Sequence, residues 1–169
     1  MRKISFLLLL FVFAGTLQAQ NAQVAQIRKM YAQAKETMAQ KKKTELPPDE
    51  TVVTSNYMAA GAGPIKDVTH YFYSGDFDED LGNQYYTPYF ITRKYNVGVR
   101  EYYEEFLFEK GSLVFYFNKS QNDETRYYWG PGGFFHQDIK GQKMMDEVFA
   151  ARLANDLMEA FHRLMNREY

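Results

Sequence analysis

The sequence predicts an α+β fold: a largely antiparallel, aromatic-rich β-meander packed against an N-terminal and a C-terminal helix. Three observations point there. Apolar residues recur at spacings of three and four near both ends of the chain, the pattern of helices with one buried stripe. Between the ends lie runs of β-branched and aromatic residues of strand length. Short breaks separate most of these runs, too short for crossovers, so consecutive strands are antiparallel neighbours. Composition agrees with one folded domain. A chain of 169 residues that is 46% hydrophobic, 17% aromatic and 24% charged is too apolar to be disordered and the right length for a single core.

The first element is an export signal. Arg2 and Lys3 precede an apolar stretch over 4–14, and Gly15, Thr16, Leu17, Gln18 and Ala19 follow. Charge, apolar core and a small residue at the cut form a secretory signal peptide. About eleven apolar residues rise only about 16 Å as a helix, short of a hydrocarbon core of about 30 Å. Cleavage is therefore expected after Ala19, leaving a mature domain over 20–169 in the periplasm or outside the cell. No later stretch is long and apolar enough to span a membrane. An exported chain with no cysteine suits a bacterium. It excludes disulfides, thiolate metal sites, a cysteine nucleophile and a lipidated cysteine. Asn118-Lys119-Ser120 is a chance glycosylation sequon in that setting.

Next comes a helix over 21–43, its buried stripe Val24, Ile27, Tyr31, Ala34 and Met38, with Lys41, Lys42 and Lys43 at the end that suits cations. Pro47-Pro48 ends it. The sheet occupies about 51–139, with strands over 51–57, 65–73, 85–96, 99–109, 113–119, 124–129 and 134–139, and an acidic loop over 74–84. A closing helix over 142–168 carries Met145, Phe149, Leu153, Leu157, Phe161 and Leu164 on one stripe, widened by Val148 and Ala160, with a Glu159–Arg163 pair outside.

The central hairpin tests the register. A two-residue turn at Lys110-Gly111 pairs Glu109 with Ser112, Phe108 with Leu113, Phe106 with Phe115, and Glu104 with Phe117. One face then carries Phe106, Phe108, Leu113, Phe115 and Phe117, the expected core under both helices. The other carries Glu101, Tyr103, Glu105, Leu107, Val114, Tyr116 and Asn118. A face of tyrosine and carboxylate left in solvent offers apolar area with polar tips, as recognition surfaces do. Its binding residues would be Tyr103, Tyr116, Glu101 and Glu105, with Trp129 beside the Gly130-Pro131-Gly132-Gly133 turn. The 21 aromatic residues over 71–135 exceed what one small core needs.

The runs Phe90-Ile91-Thr92-Arg93-Lys94-Tyr95, Tyr102-Tyr103-Glu104-Glu105-Phe106-Leu107-Phe108, Gly111-Ser112-Leu113-Val114-Phe115 and Glu124-Thr125-Arg126-Tyr127-Tyr128 resemble small exported bacterial proteins of unknown function. In those, an aromatic hairpin is followed by a Glu-x-Arg-x-Tyr strand. The resemblance covers 85–140, about a third of the chain, and departs at Trp129-Gly130-Pro131. It implies a fold type and export, with no activity or catalytic residue attached.

Chemistry-bearing constellations are few. A net charge of −1 provides no field for nucleic acid or an anionic membrane. Glu101 and Glu105, four strand residues apart, stand about 13 Å from each other, too far for either glycosidase geometry. Glu104 falls on the apolar face and needs a cation; Arg126 in the following strand is the expected structural partner. Asp76, Asp78 and Asp80, followed by Gly82, alternate as calcium ligands do, but the loop is incomplete. Its glycine is one residue late and Thr87 stands where glutamate belongs, so a solvated acidic turn is the simpler reading. His70, His136 and His162 are the three histidines, with no forced pairing. No nucleophile elbow or phosphate loop is present. The sequence thus favours an exported, non-catalytic module without a cofactor, binding a protein, peptide or glycan. The alternatives are a small hydrolase or isomerase, which needs acids, a histidine and Arg126 in one pocket, and an inhibitor or assembly component presenting an exposed Trp129.

Overall fold

A computed structural model describes residues 2–41, 49–78 and 83–165. A long helix, α1 (Arg2–Lys41), leads into seven strands and a closing helix. The strands are β1 (Glu50–Ala59), β2 (Gly63–Asp78), β3 (Asn83–Val97), β4 (Arg100–Glu109), β5 (Ser112–Ser120), β6 (Asp123–Gly130) and β7 (Gly133–Lys140); α2 spans Glu147–Met165. Each strand pairs antiparallel with the next, giving one sheet in the order β1-β2-β3-β4-β5-β6-β7. The α+β meander expected from the short breaks is what the chain forms. At the central turn Lys110 and Gly111 both take positive φ, 50° and 76°, the pair of conformations that a tight hairpin requires.

The elements differ from the expected ones at three places. The β2–β3 ribbon runs into the acidic segment, pairing Asp76 with Tyr85 and Asp78 with Asn83, because ladder hydrogen bonding outweighs poor strand propensity. Asp80 lies outside the described residues, as do Lys42, Lys43, Pro47 and Pro48. The closing helix begins at Glu147, where the Asp146 carboxylate accepts a hydrogen bond from the Phe149 N–H at 2.7 Å and caps it. Its buried side is Ala150, Ala154 and Phe161, whereas Phe149 and Val148 are 50% and 65% exposed. Met145, Leu153 and Leu157 of the expected stripe pack partly buried on the same cluster, so the departure is confined to Phe149 and Val148, with the two alanines at the point of closest packing. α1 passes through the Ala19–Gln20 junction without a break. No helix among the described residues is long and apolar enough to cross a membrane.

The two helices cover opposite faces of the sheet. Val24, Ile27, Ala34 and Met38 of α1 pack on Phe72, Phe90, Leu107, Phe115 and Tyr128. Ala150, Ala154 and Phe161 of α2 pack on Tyr71, Ile91, Phe106, Tyr116 and Tyr127. Sequence neighbours therefore point to different cores, as alternation along a strand demands. This corrects the expectation of one dry and one wet face. The surplus of aromatics serves two cores.

A bulge is the reason the expected hairpin pairing ends after its first pairs. Glu109–Ser112 and Phe108–Leu113 pair as expected. The register then shifts between Leu107 and Phe108, so Leu107 meets Phe115, Phe106 meets Tyr116, and Glu104 meets Asn118. A one-residue slip exchanges faces, which puts Phe106 under α2 and Phe115 under α1. Similar shifts follow Phe72 in β2 and Tyr128 in β6. All three lie beside one row across the sheet, Phe72, Phe90, Leu107, Phe115 and Tyr128. Bulges bend and twist a sheet, and aligned ones bend it along a line. α1 lies over that row.

Candidate functional site

Adjacent to the aromatic row, on the α1 side, a second row crosses the entire sheet in register: Val52, His70, Thr92, Glu105, Phe117, Arg126 and Asp138. From His70 to Asp138 it spans five strand spacings, about 24 Å. α1 covers the aromatic row and leaves this polar row open along its flank. The result is a trough walled by the Arg28, Tyr31 and Lys35 side of the helix and interrupted in the middle by Glu105.

Glu105 is 2% exposed, and its carboxylate is fully occupied. It accepts hydrogen bonds from Tyr31 Oη at 2.5 Å, Lys35 Nζ at 2.6 Å and Tyr103 Oη at 2.8 Å. Two of those donors come from α1, so Glu105 ties the helix to the sheet. Burial, helped by the hydrogen bond and charge of Glu105, raises the Tyr31 phenol far above its ordinary range. Burial and the same carboxylate do so for Tyr103. Both stay protonated donors at any physiological pH.

On one side of this post lies a cavity of about 360 Å³ lined by Arg28, Tyr31, Phe115, Phe117, Arg126, Tyr128 and Asp138. The Arg126 guanidinium sits 4.8 Å from the Phe117 ring centre, and Arg28 lies 5.9 Å from that of Tyr128. Each arginine also shares a carboxylate: Arg126 with Glu124 at 2.9 Å, Arg28 with Asp138 at 2.9 Å. Although burial works against it, hydrogen bonds from Tyr128, Arg28 and His136 hold the Asp138 carboxyl below its ordinary value. The Arg126 hydrogen bond does the same for Glu124. This chamber offers aromatic planes edged by paired charges, an environment that takes up ligands with flat faces and polar rims.

On the other side a cavity of about 330 Å³ is lined by Lys35, Met38, Ala39, His70, Phe72, Thr92 and Tyr103. His70 Nδ1 lies 2.5 Å from Glu50 Oε1, and its ring stacks on Phe72 at 6.3 Å. A carboxylate on Nδ1 orients the imidazole and leaves Nε2 without that partner.

The opposite, α2 face treats its polar groups differently. Glu104 is fully buried, and its cation is Arg93, 3.3 Å away. Arg126 was the expected partner, but it sits opposite Phe117 and so on the other side of the sheet. Tyr116 Oη and Asn118 Nδ2 donate to Glu104 at 2.9 and 3.1 Å, and Arg93 also holds Asp67 at 2.5 Å. Burial raises the Glu104 carboxyl above its ordinary value, partly offset by Arg93 and Tyr116. Buried Asn118 cannot serve as a glycan acceptor from within this network.

Of the binding residues read from sequence, Tyr103 and Glu105 meet in the trough. Glu101 lies about 13 Å further along β4, outside the trough, exposed and paired with Lys94 at 2.9 Å. Tyr116 is fully buried beneath α2, which removes it from any binding surface, again because of the bulge. Trp129 is half-buried, edge-on to Tyr127 and Phe134, and with Gly130 and Pro131 it lines a separate cavity beside α1. Asp76 and Asp78 are ladder residues, and among the described residues no three His, Asp or Glu side chains gather as a metal set. Sequence reasoning missed Arg28, Lys35, Phe117 and Asp138. Arg28 and Lys35, seven residues apart, mark the rim of the α1 stripe, but nothing local says that this rim faces a cavity. No family model, curated protein or solved structure matches the chain.

Proposed function

We propose that this chain is an exported, non-catalytic binding module whose ligand lies along the trough beside α1. The observation that carries the reading is the pair of open chambers in one row, with arginines stacked on aromatic rings at one end and a carboxylate-held histidine at the other. A groove about 24 Å long suits an elongated polar ligand, a peptide or a glycan, better than a compact metabolite. The binding residues are Arg28, Phe117, Arg126, Tyr128 and Asp138 in the larger chamber and Tyr103 in the smaller, with Glu105, its carboxylate already taken, as the post between them. The signal-like segment over 1–19 supports placement in the periplasm or outside the cell. The test is retention of peptide and glycan arrays by the mature chain. Arg126→Ala and Phe117→Ala lower retention about tenfold, roughly 1.4 kcal/mol each; Arg126→Ala leaves the urea midpoint in place, whereas Phe117→Ala, which trims a half-buried ring packed on the α1-side core, also lowers it. Retention unchanged in both variants overturns the proposal.

A second reading rests on the 2.5 Å His70–Glu50 contact. An imidazole so held can act as a general base, and Lys35, Thr92 and Tyr103 line the same cavity. A small hydrolase or isomerase would use this chamber, without Arg126, which belongs to the other one. Turnover of an ester or glycoside panel that disappears in His70→Ala supports it; no turnover by the unaltered protein removes it.

A further inference from the structure

We propose that β1 is a self-association edge, pairing antiparallel with β1 of a second copy about a twofold axis at Ser55. Among the described residues β1 ends the sheet, with a neighbour on one side only. Proteins ordinarily blunt such an edge with charges, proline or a bulge. Past Glu50, whose carboxylate is held by His70, β1 has none of these: residues 51–59 contain no charged side chain and no proline, and its ten pairs with β2 run without a register shift. The opposite edge, β7, carries Asp138 and Lys140 and pairs through a bulge. The two edges are therefore not equivalent, and the unprotected one is long and regular.

The side chains of β1 specify the occupant. Val52, Tyr57 and Met58 are 50%, 46% and 75% exposed, unusual for apolar residues on a free edge. An axis at Ser55 sets Val52 against Met58 of the second copy on the α1 side, and Val53 against Tyr57 on the α2 side. Every exposed apolar residue of the strand then gains a cross-strand apolar neighbour at pairing distance. Thr54 faces Asn56, and no like charges meet. Moving the axis to Thr54 would instead set Val52 against Asn56 and Glu50 against Met58. Moving it by half a step would oppose side chains from different faces. The strand is thus complementary to itself in one register, which a foreign peptide would match only by imitating it. The product is a continuous sheet with both α1 helices on the same side.

The absence of cysteine makes the test direct. Opposed antiparallel residues place their Cα atoms about 4.5–5.5 Å apart, within disulfide reach of about 4.4–6.8 Å. Mild oxidation of Ser55→Cys should give a covalent dimer in high yield, whereas Thr54→Cys should not. In sedimentation at high micromolar concentration the unaltered mature chain should be a dimer. Val52→Lys should weaken it at least tenfold, and Val52→Lys with Met58→Glu should restore it by pairing the new charges. A chain that stays monomeric at that concentration overturns the proposal. So does a dimer that Ser55→Cys fails to cross-link or that Val52→Lys leaves intact.

Discussion

Glu104 and Glu105 are neighbours in sequence, both buried, and face opposite sides of the sheet. On the α2 side Glu104 belongs to a closed network with Arg93, Asp67, Tyr116 and Asn118, its groups turned toward one another. On the α1 side Glu105 stands between two open chambers, and its partners Lys35 and Tyr31 reach in from a helix. Similar residue types thus stabilise a core on one face and edge a cavity on the other. Composition does not separate a structural carboxylate from a site carboxylate. The difference lies in where the partners come from: those of Glu104 are all side chains of the sheet, whereas two of those of Glu105 reach in from a helix.

Substitutions on the two faces test this contrast. The largest effect belongs to Tyr116→Ala, which leaves a cavity in the closed face and should cost about 3–5 kcal/mol in urea unfolding. Tyr103→Ala, half-buried in the trough, should cost less than half as much; equal losses would mean that both faces are equally closed. Arg93→Ala removes the cation shared by Asp67 and Glu104 and should cost about 3 kcal/mol. Glu105→Gln should cost about 1–2 kcal/mol, because Lys35 can turn to solvent, and it should speed amide exchange in α1 before the rest of the sheet. A uniform increase in exchange would show that Glu105 is not the tie between them.

The pH dependence follows from Glu104. Its carboxyl is raised above the ordinary 4.5 by burial, with Arg93 and Tyr116 pulling against that. A group that holds its proton more tightly when folded contributes fully below its unfolded value and loses that contribution as pH rises through its folded value. The stability of the unaltered protein relative to Glu104→Gln should therefore fall as pH rises from 4.5 toward neutrality, measured by urea midpoints. A flat difference would mean that burial does not govern this carboxyl. Arg126→Ala is the smallest effect on stability, within about 0.5 kcal/mol, because its guanidinium is partly exposed and Glu124 keeps Lys119 nearby as a second cation.

Much of the fold was legible along the chain. Spacing of Val24, Ile27, Ala34 and Met38 marked the buried side of α1, and the turn residues marked the strand breaks, because both signals are local. The hairpin register was legible only as far as Leu113. The extra residue that shifts it has no distinguishing chemistry, and its cause is the bend that lets the sheet meet α1. The site was legible in part: Tyr103 and Glu105 were singled out, but they were grouped with Tyr116, which the shift sends to the other core.

Local order along the chain dictated seven antiparallel strands, two amphipathic helices and an aromatic stock large enough for more than one core, since hydrogen-bonded periodicity and turn chemistry act over a few residues. Long-range packing alone put the helices on opposite faces, matched Glu104 with Arg93, and brought Arg28, Arg126 and Asp138 together over about a hundred residues of chain. Those outcomes depend on where bulges shift the pleat and where a helix comes to rest, and both are settled by contact between segments that carry no local record of each other.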